Sequence, residues 1–395
     1  MDMQDGEGDA VLEVRDLWFA YPSMPEALRG VTLGFRRGSK IALVGPNGAG
    51  KTTLLLMLNG MLRPDRGAVL LNGAPIGYGA RDLRGVRQTV GLVFQNADMQ
   101  VFAPTVYQDV AFGPLNLGVG GEELDAVVER ALFDVGLTGY EKRPPHHLSG
   151  GEKKRVAIAG VLAMDPEVLV FDEPTASLDP AGAGEIMDLL DELNQEGRTI
   201  ILSTHDVELA YRWADEIVIM HNGEVLTTGS PAVVLGDGDL LATAHLKPPT
   251  VIDLHRQLVR RGIVPAGTAP VGILPLLDQL EQQLGGDASR RQGTVFLCDA
   301  EGLTDDGIAR ITAAYGITSI GAMGSKAKRH LCCHRTEPDI THGVIDRCIL
   351  LALAGETPLI LTAGGMVEHT LRRIRSYRDE QGIPITVEQI EPHRP

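Results

Sequence analysis

Aromatic side chains make up only 4% of the 395 residues, and there are only four cysteines, Cys298, Cys332, Cys333 and Cys348, all after position 290. Cysteines so few and so confined do not form the framework that staples small secreted domains. No run of about 18 apolar residues occurs, so no transmembrane helix is expected. The opening MDMQDGEGDA lacks the basic n-region and apolar h-region of a signal peptide, which points to a cytoplasmic location. Basic residues are also scarce: 36 Lys+Arg stand against 52 Asp+Glu, a net charge of −16. General nucleic-acid binding needs clustered Lys and Arg to neutralise phosphates, so this balance argues against a nucleic-acid partner. The acidity is uneven, with −15 over residues 1–249 and −1 over residues 250–395. No internal repeat is visible.

What is present is an alternation of two periods. Strand composition occurs at 11–19, 41–45, 69–71, 90–94, 168–171, 199–202 and 217–220, and helical patterns at 52–61, 122–136, 151–163, 180–196 and 206–213. Strands alternating with helices predict an α/β domain with a largely parallel sheet. The pattern weakens near 231–250, and a short helical piece runs to about 285. A Gly/Asp/Ser/Arg linker, GGDASRRQG (285–293), then leads to a second alternating region. Its expected strands are 294–298, 317–320, 358–362 and 384–388, with helices near 304–314, 342–354 and 366–381. The expected divisions are 1–232, 233–288 and 289–395.

GPNGAGKT (45–52) follows an apolar strand and opens a helical run, the context that G-x-x-x-x-G-K-[ST] requires. Gly45, Gly48 and Gly50, interleaved with Pro46, Asn47 and Ala49, let the backbone approach phosphate oxygens. The helix that begins there, with Thr52 and Thr53 in its first turn, adds its partial positive charge. Lys51 is placed to reach the terminal phosphates of ATP and Thr52 to hold Mg²⁺. In VLVFDEP (168–174), a buried strand delivers Asp172 as a Mg²⁺ partner and Glu173 to polarise an attacking water. LSGG (148–151) sets Ser149, Gly150 and Gly151 at another helix start, a second anion cradle. One bound nucleotide needs only one.

With these motifs in one chain, residues 11–232 resemble an ABC-type ATPase. The fold implied is a P-loop nucleotide-binding domain with a helical subdomain. Here it is followed by a helical C-terminal extension and an additional small α/β domain. In that family LSGG acts on the nucleotide of a second subunit, so the resemblance implies a homodimer or a heterodimer of ATPase subunits. It also implies that Tyr21 stacks on adenine and that Gln95 contacts Mg²⁺. Asp179 in SLDP (177–180) faces the other subunit, and His205 in LSTHD (202–206) contacts the γ-phosphate. Two departures are Glu152, where Gln is commoner, and Ser177, where Gly is usual before Leu-Asp.

FQNADMQVFAPTVYQDVAFGPLNLG (94–118) and RVAIAGVLAMDPEVLVFDEPTASLDP (155–180) resemble energy-coupling-factor importers, and cobalt-importer ATPases in particular. The resemblance implies a subunit at the cytoplasmic membrane face that works with an integral-membrane coupling subunit and a substrate-binding membrane subunit. Cobalt is the expected cargo, with nickel or a vitamin as alternatives. A soluble ABC ATPase outside transport is the alternative of another class. Met99, Gln100 and Phe102 are expected to line the groove for a coupling helix, while Val101, Phe102, Val106 and Phe112 also suit ordinary core. The 240–263 and 273–284 segments resemble a dimer-holding extension, with Val251, Leu254 and Leu258 as an apolar stripe. In HLCCH (330–334), His330, Cys333 and His334 would share one face of a helix, a metal-sensing reading set against plain buried cysteine.

Overall fold

The computed structural model describes residues 10–267, 269–270, 272–283, 293–333, 337–341, 343–379 and 382–391. The structure divides into two compact units, Met1–Ser177 with Gly197–Asp253, and Leu178–Glu196 with Leu254–Pro395.

In the first unit, β1 (Ala10–Ala20) and β2 (Glu26–Arg36) pair antiparallel. With β4 (Arg66–Leu71) and β5 (Ala74–Pro75) they make a sheet of order β2-β1-β4-β5. A second sheet contains β3 (Lys40–Val44), β6 (Val90–Val93), β7 (Val168–Asp172), β8 (Thr199–Thr204), β9 (Glu216–His221) and β10 (Glu224–Gly229). Its order is β10-β9-β3-β8-β7-β6, parallel except for β10. Every residue of β6, β7 and β8 is buried, which is why they read as unbroken apolar runs: both faces of a parallel sheet are covered. β4–β5 and β9–β10 turn through Asn72-Gly73 and Asn222-Gly223, all four residues with positive φ. Those are the residues a two-residue type I′ hairpin requires.

The helices of this unit are α1 (Lys51–Leu58), α2 (Ala80–Thr89), α3 (Val106–Leu117), α4 (Glu122–Asp134) and α5 (Gly150–Leu162). α1 packs its buried leucines under the sheets with Phe35, Val69 and Val170. The second unit opens with α6 (Pro180–Gln195). α7 (Val207–Trp213), α8 (Pro231–Val234) and α9 (Gly238–Thr243) complete the first unit, and α10 (Thr250–Arg260) runs from one unit into the other. On α10 the fully buried positions are Ile252 and His255, while Leu254 is exposed and Val251 and Leu258 are half-buried.

The second unit continues with α11 (Ile273–Gln283) and a four-stranded parallel sheet. Its strands are β11 (Gly293–Asp299), β12 (Ser319–Ala322), β13 (Pro358–Thr362) and β14 (Ile385–Ile390), in the order β12-β13-β11-β14. Helices α12 (Asp305–Tyr315), α13 (Ser325–Cys333), α14 (Val344–Leu353) and α15 (Gly365–Asp379) connect them. Two separate apolar clusters form here. One joins Val295, Leu297 and Ile360 to α14 and α15, and the other joins Phe296, Cys298 and Leu361 to α12. Alternate residues of β11 and β13 therefore enter opposite cores, as a period of two demands. Within this unit Lys328 of α13 pairs with Asp188 of α6 at 2.5 Å. Burial raises the Asp188 carboxyl above its usual range, and the Lys328 charge partly offsets that rise.

Most of the linker 285–293 lies outside the described residues. So do His334 and the side chain of Cys333. The His330 ring contacts the Leu303 carbonyl oxygen.

Candidate functional site

The parallel strands β3, β8, β7 and β6 are neighbours, so residues far apart in sequence emerge together at their carboxyl ends. In parallel α/β sheets this is the edge where ligands bind. The loop from Gly45 to Gly50 leaves β3 there, Gln95 follows β6, Asp172 ends β7 and His205 follows β8.

The loop geometry requires glycine: at Gly45 a Cβ would collide with the Met220 carbonyl oxygen. Gly48 has φ +82° with open space where a Cβ would stand. Gly50 has φ +98°, and a Cβ there would press against the Ala27 carbonyl oxygen. Gly223 of the β9–β10 turn donates to Ala49 O at 3.1 Å and so braces the loop from outside. Lys51 Nζ donates to Gly45 O at 2.6 Å and to Pro46 O at 3.1 Å, across the loop interior. Burial lowers its ammonium pKa, and the negative charges of Glu173 and Asp172 partly offset that shift. Tyr21 OH sits 3.3 Å from Thr53 Oγ1, with its ring edge-on to Phe19. The Tyr21 hydroxyl therefore stands beside the first turn of α1.

Thr52 Oγ1 lies 3.1 and 3.0 Å from the two carboxylate oxygens of Asp172. Hydroxyl and carboxylate oxygens at one point form the hard donor set that Mg²⁺ takes. Gln95 Nε2 donates to Glu173 Oε2 at 3.1 Å, and His205 Nδ1 is 3.1 Å from Glu173 Oε1. Gln95, Glu173 and His205 are thus one cluster. Glu173 has φ +44°, a left-handed conformation that costs a non-glycine residue about 1–3 kcal/mol and tends to mark functional sites.

Ser149 caps α5: its Oγ accepts from Glu152 N, and Glu152 Oε2 accepts from Ser149 N at 2.8 Å. Glu152 therefore completes a capping box, and hydrogen bonds from Ser149 lower its carboxyl pKa. Ser149 and Gly150 are exposed and Gly151 half-buried. Among the described residues no hydrogen bond joins them to the phosphate loop. Asp179, also exposed, caps α6 by accepting from Gly182 N at 2.7 Å.

Two residues of this site escaped the sequence reading. Ser203 is fully buried in β8; its Oγ donates to Asp172 Oδ1 at 2.6 Å and accepts from Glu173 N at 3.1 Å. The available signal was a hydroxyl directly after the apolar run IIL (200–202). The other is Lys154, only 3% exposed, which donates to Phe94 O at 3.0 Å and Gln95 O at 2.7 Å. Burial drives its pKa down to about 8, against the pull of Asp172 and Glu173.

Beyond Gln95 the expected groove residues separate. Met99 and Phe102 are 80% and 66% exposed, and Phe102 stacks edge-on against Phe112 at 5.0 Å. Phe112 and Leu115 of α3 are exposed as well, whereas Val106 is fully buried. Gln100 turns inward: it accepts from Phe94 N at 3.0 Å and donates to Leu92 O at 3.2 Å. These bonds tie down the strand end. Among the described residues no group of three or more His, Cys, Asp or Glu could hold a metal ion, and no helix is long and apolar enough to cross a membrane.

Comparison with known proteins identifies the family. The ABC transporter family profile matches residues 28–176. The energy-coupling factor transporter ATP-binding protein EcfA2 of Methanospirillum hungatei is 49% identical over 384 residues, covering 95% of this chain and 96% of that protein. The solved structure of cbiO1 from Clostridium perfringens, part of the ABC transporter complex cbiONQ, is 40% identical with a TM-score of 0.55. It covers 63% of this chain and 99% of its own. The dimeric ABC transporter cassette MJ0796 is 28% identical with a TM-score of 0.51, over 56% of this chain and 98% of its own. Fold and site together define an ABC-type ATPase, a protein that binds and hydrolyses ATP. Within that class the chain belongs to the ATP-binding proteins of energy-coupling factor transporters, the ATPase subunits of membrane importers.

Proposed function

We propose that this chain powers a cobalt importer by hydrolysing ATP at the interface of two ATPase subunits, on the cytoplasmic face of the membrane. The observation that carries the transport reading is the exposed apolar patch of Met99, Phe102, Phe112 and Leu115, which begins four residues after Gln95. Exposed apolar side chains rimmed by polar ones suit an incoming amphipathic helix. Here that is a helix of an integral-membrane coupling subunit, which works beside a substrate-binding membrane subunit. Cobalt is preferred over nickel or a vitamin because 94–118 and 155–180 resemble the cobalt-importer ATPases.

In this mechanism the loop 45–52 and Lys51 hold the phosphates, and Tyr21 lies under adenine. Thr52, Asp172 and Gln95 would hold Mg²⁺, which supplies charge neutralisation at the β- and γ-phosphates when bound. Glu173 accepts a proton from the attacking water, and Gln95 and His205 fix its two oxygens. Ser203 holds the backbone and carboxylate that set Glu173 and Asp172 side by side. Ser149, Gly150, Gly151 and Asp179 act on the partner subunit's nucleotide, in keeping with the exposure of Ser149, Gly150 and Asp179. The half-exposed stripe of α10, Val251, Leu254 and Leu258, offers a surface for the dimer. Residues 289–395 form a further domain with a regulatory role.

The test is affinity purification of the full chain from detergent-solubilised membranes, followed by identification of the recovered proteins. A small integral-membrane subunit is expected, and it should be lost with Phe102→Asp. Recovery of soluble partners alone would favour an ABC ATPase outside transport.

A further inference from the structure

A lysine as buried as Lys154 needs an explanation, because a desolvated ammonium costs several kcal/mol unless it is hydrogen-bonded and charge-compensated. Its two partners are main-chain carbonyls of one short segment, Phe94 O and Gln95 O. The compensating charges are the carboxylates of Asp172 and Glu173. The preceding residue, Lys153, grips the same segment from outside, pairing with Asp98 at 2.7 Å. Two consecutive lysines of α5 therefore hold both ends of residues 94–98. The Gln95 side chain leaves that segment to meet Glu173. The same helix is capped by Ser149, one turn before Lys154.

We propose that Lys154 is a positioning residue for ATP hydrolysis: by holding the Gln95 carbonyl it fixes the Gln95 side chain against Glu173 and locks it to the helix that carries Ser149. The inference rests on the role given to Gln95 above. Its physical content is geometric. Without the ammonium, Gln100 still holds Phe94 N, but the Gln95 carbonyl loses its anchor and Gln95 samples positions away from Glu173. Displacements of about 1 Å in such a constellation lower turnover by up to about 100-fold. Nucleotide affinity should barely change, because among the described residues the Lys154 ammonium hydrogen-bonds to Phe94 O and Gln95 O and not to the phosphate loop or Tyr21.

The experiment is a double-mutant cycle in the full chain with Lys154→Met, Gln95→Ala and the pair. Steady-state ATPase kcat, KM for ATP and the Mg²⁺ concentration for half-maximal rate are measured. The folded fraction is fixed by the stoichiometry of fluorescent ATP-analogue binding. Lys154→Met is expected to lower kcat by about 10- to 100-fold, to raise the half-saturating Mg²⁺, and to leave analogue affinity within about threefold. The pair should be no worse than the more damaged single variant, and Lys154→Arg should recover part of the rate. If Gln95→Ala lowers kcat while Lys154→Met per folded site does not, or if the two losses simply multiply, the inference is overturned. If Gln95→Ala itself leaves kcat and the Mg²⁺ dependence unchanged, the role given to Gln95 fails, and this inference fails with it.

Discussion

His205 Nδ1 stands 3.1 Å from Glu173 Oε1, while the other carboxylate oxygen of Glu173 takes the Gln95 amide at 3.1 Å. The carboxylate is held from two sides by residues that arrive from different strands. Its own backbone is left-handed. A group held this firmly is oriented before substrate arrives, which is how a general base gains efficiency. His205→Ala should free one oxygen and lower kcat by up to about 100-fold with little change in ATP affinity. Single-turnover kinetics with radiolabelled ATP measures this.

Ser203→Ala removes the hydroxyl that bridges Asp172 Oδ1 and Glu173 N. A hydrogen bond to a charged group is worth about 1.5–3 kcal/mol, so both stability and turnover should fall. The measurements are urea unfolding for the first and Mg²⁺-dependent ATPase rate for the second. Ser203→Thr, which keeps the hydroxyl, should retain more activity than Ser203→Ala.

Ser177 has φ +63° at a position exposed to solvent. An L-residue there carries a penalty of about 1–2 kcal/mol, offset in part by glycine's greater unfolded-state freedom. Ser177→Gly should therefore raise stability by about 0.5–1 kcal/mol, read as an upward shift in the urea midpoint. A fall in stability would mean that the serine side chain makes a compensating interaction.

Burial pushes the thiol of Cys298 up to about 11 and that of Cys348 up to about 12. The thiolate is the reactive form, so both should resist iodoacetamide at pH 8 in the folded protein. With Cys332→Ser and Cys333→Ser removing the other two thiols, mass spectrometry should find alkylation only after denaturant is added. Fast native-state labelling would contradict the two closed apolar cores of the second sheet.

Much of the first unit was legible in the sequence because its central strands are buried on both faces and bounded by glycine-rich turns. VLVFD and IALV announce themselves by composition, and GPNGAGKT by spacing. β2 was harder to see. Its exposed Glu26, Thr32, Gly34 and Arg36 interrupt the apolar residues, and its strand character comes from pairing with β1. α2 was missed because six of its ten residues are polar and only Val86 is buried. The motif residues of the site were each legible alone. Their convergence on Glu173 was not, because strand order brings β6, β7 and β8 together, and no local pattern encodes that order. Lys154 was hidden for the same reason: in EKKRVAIAG two lysines look alike, and only the packing of α5 decides which one is buried.

In the proposed function, ATP hydrolysis at Glu173 drives uptake across a membrane. The most direct test is accumulation of radioactive cobalt, with nickel and vitamin controls, in proteoliposomes containing this chain and its co-purified membrane subunits. The wild-type complex should accumulate cobalt only with ATP, and Glu173→Gln should bind ATP yet abolish accumulation, since losing the general base lowers turnover by about 10²–10⁴-fold. ATP-independent uptake, or undiminished uptake with Glu173→Gln, would contradict it.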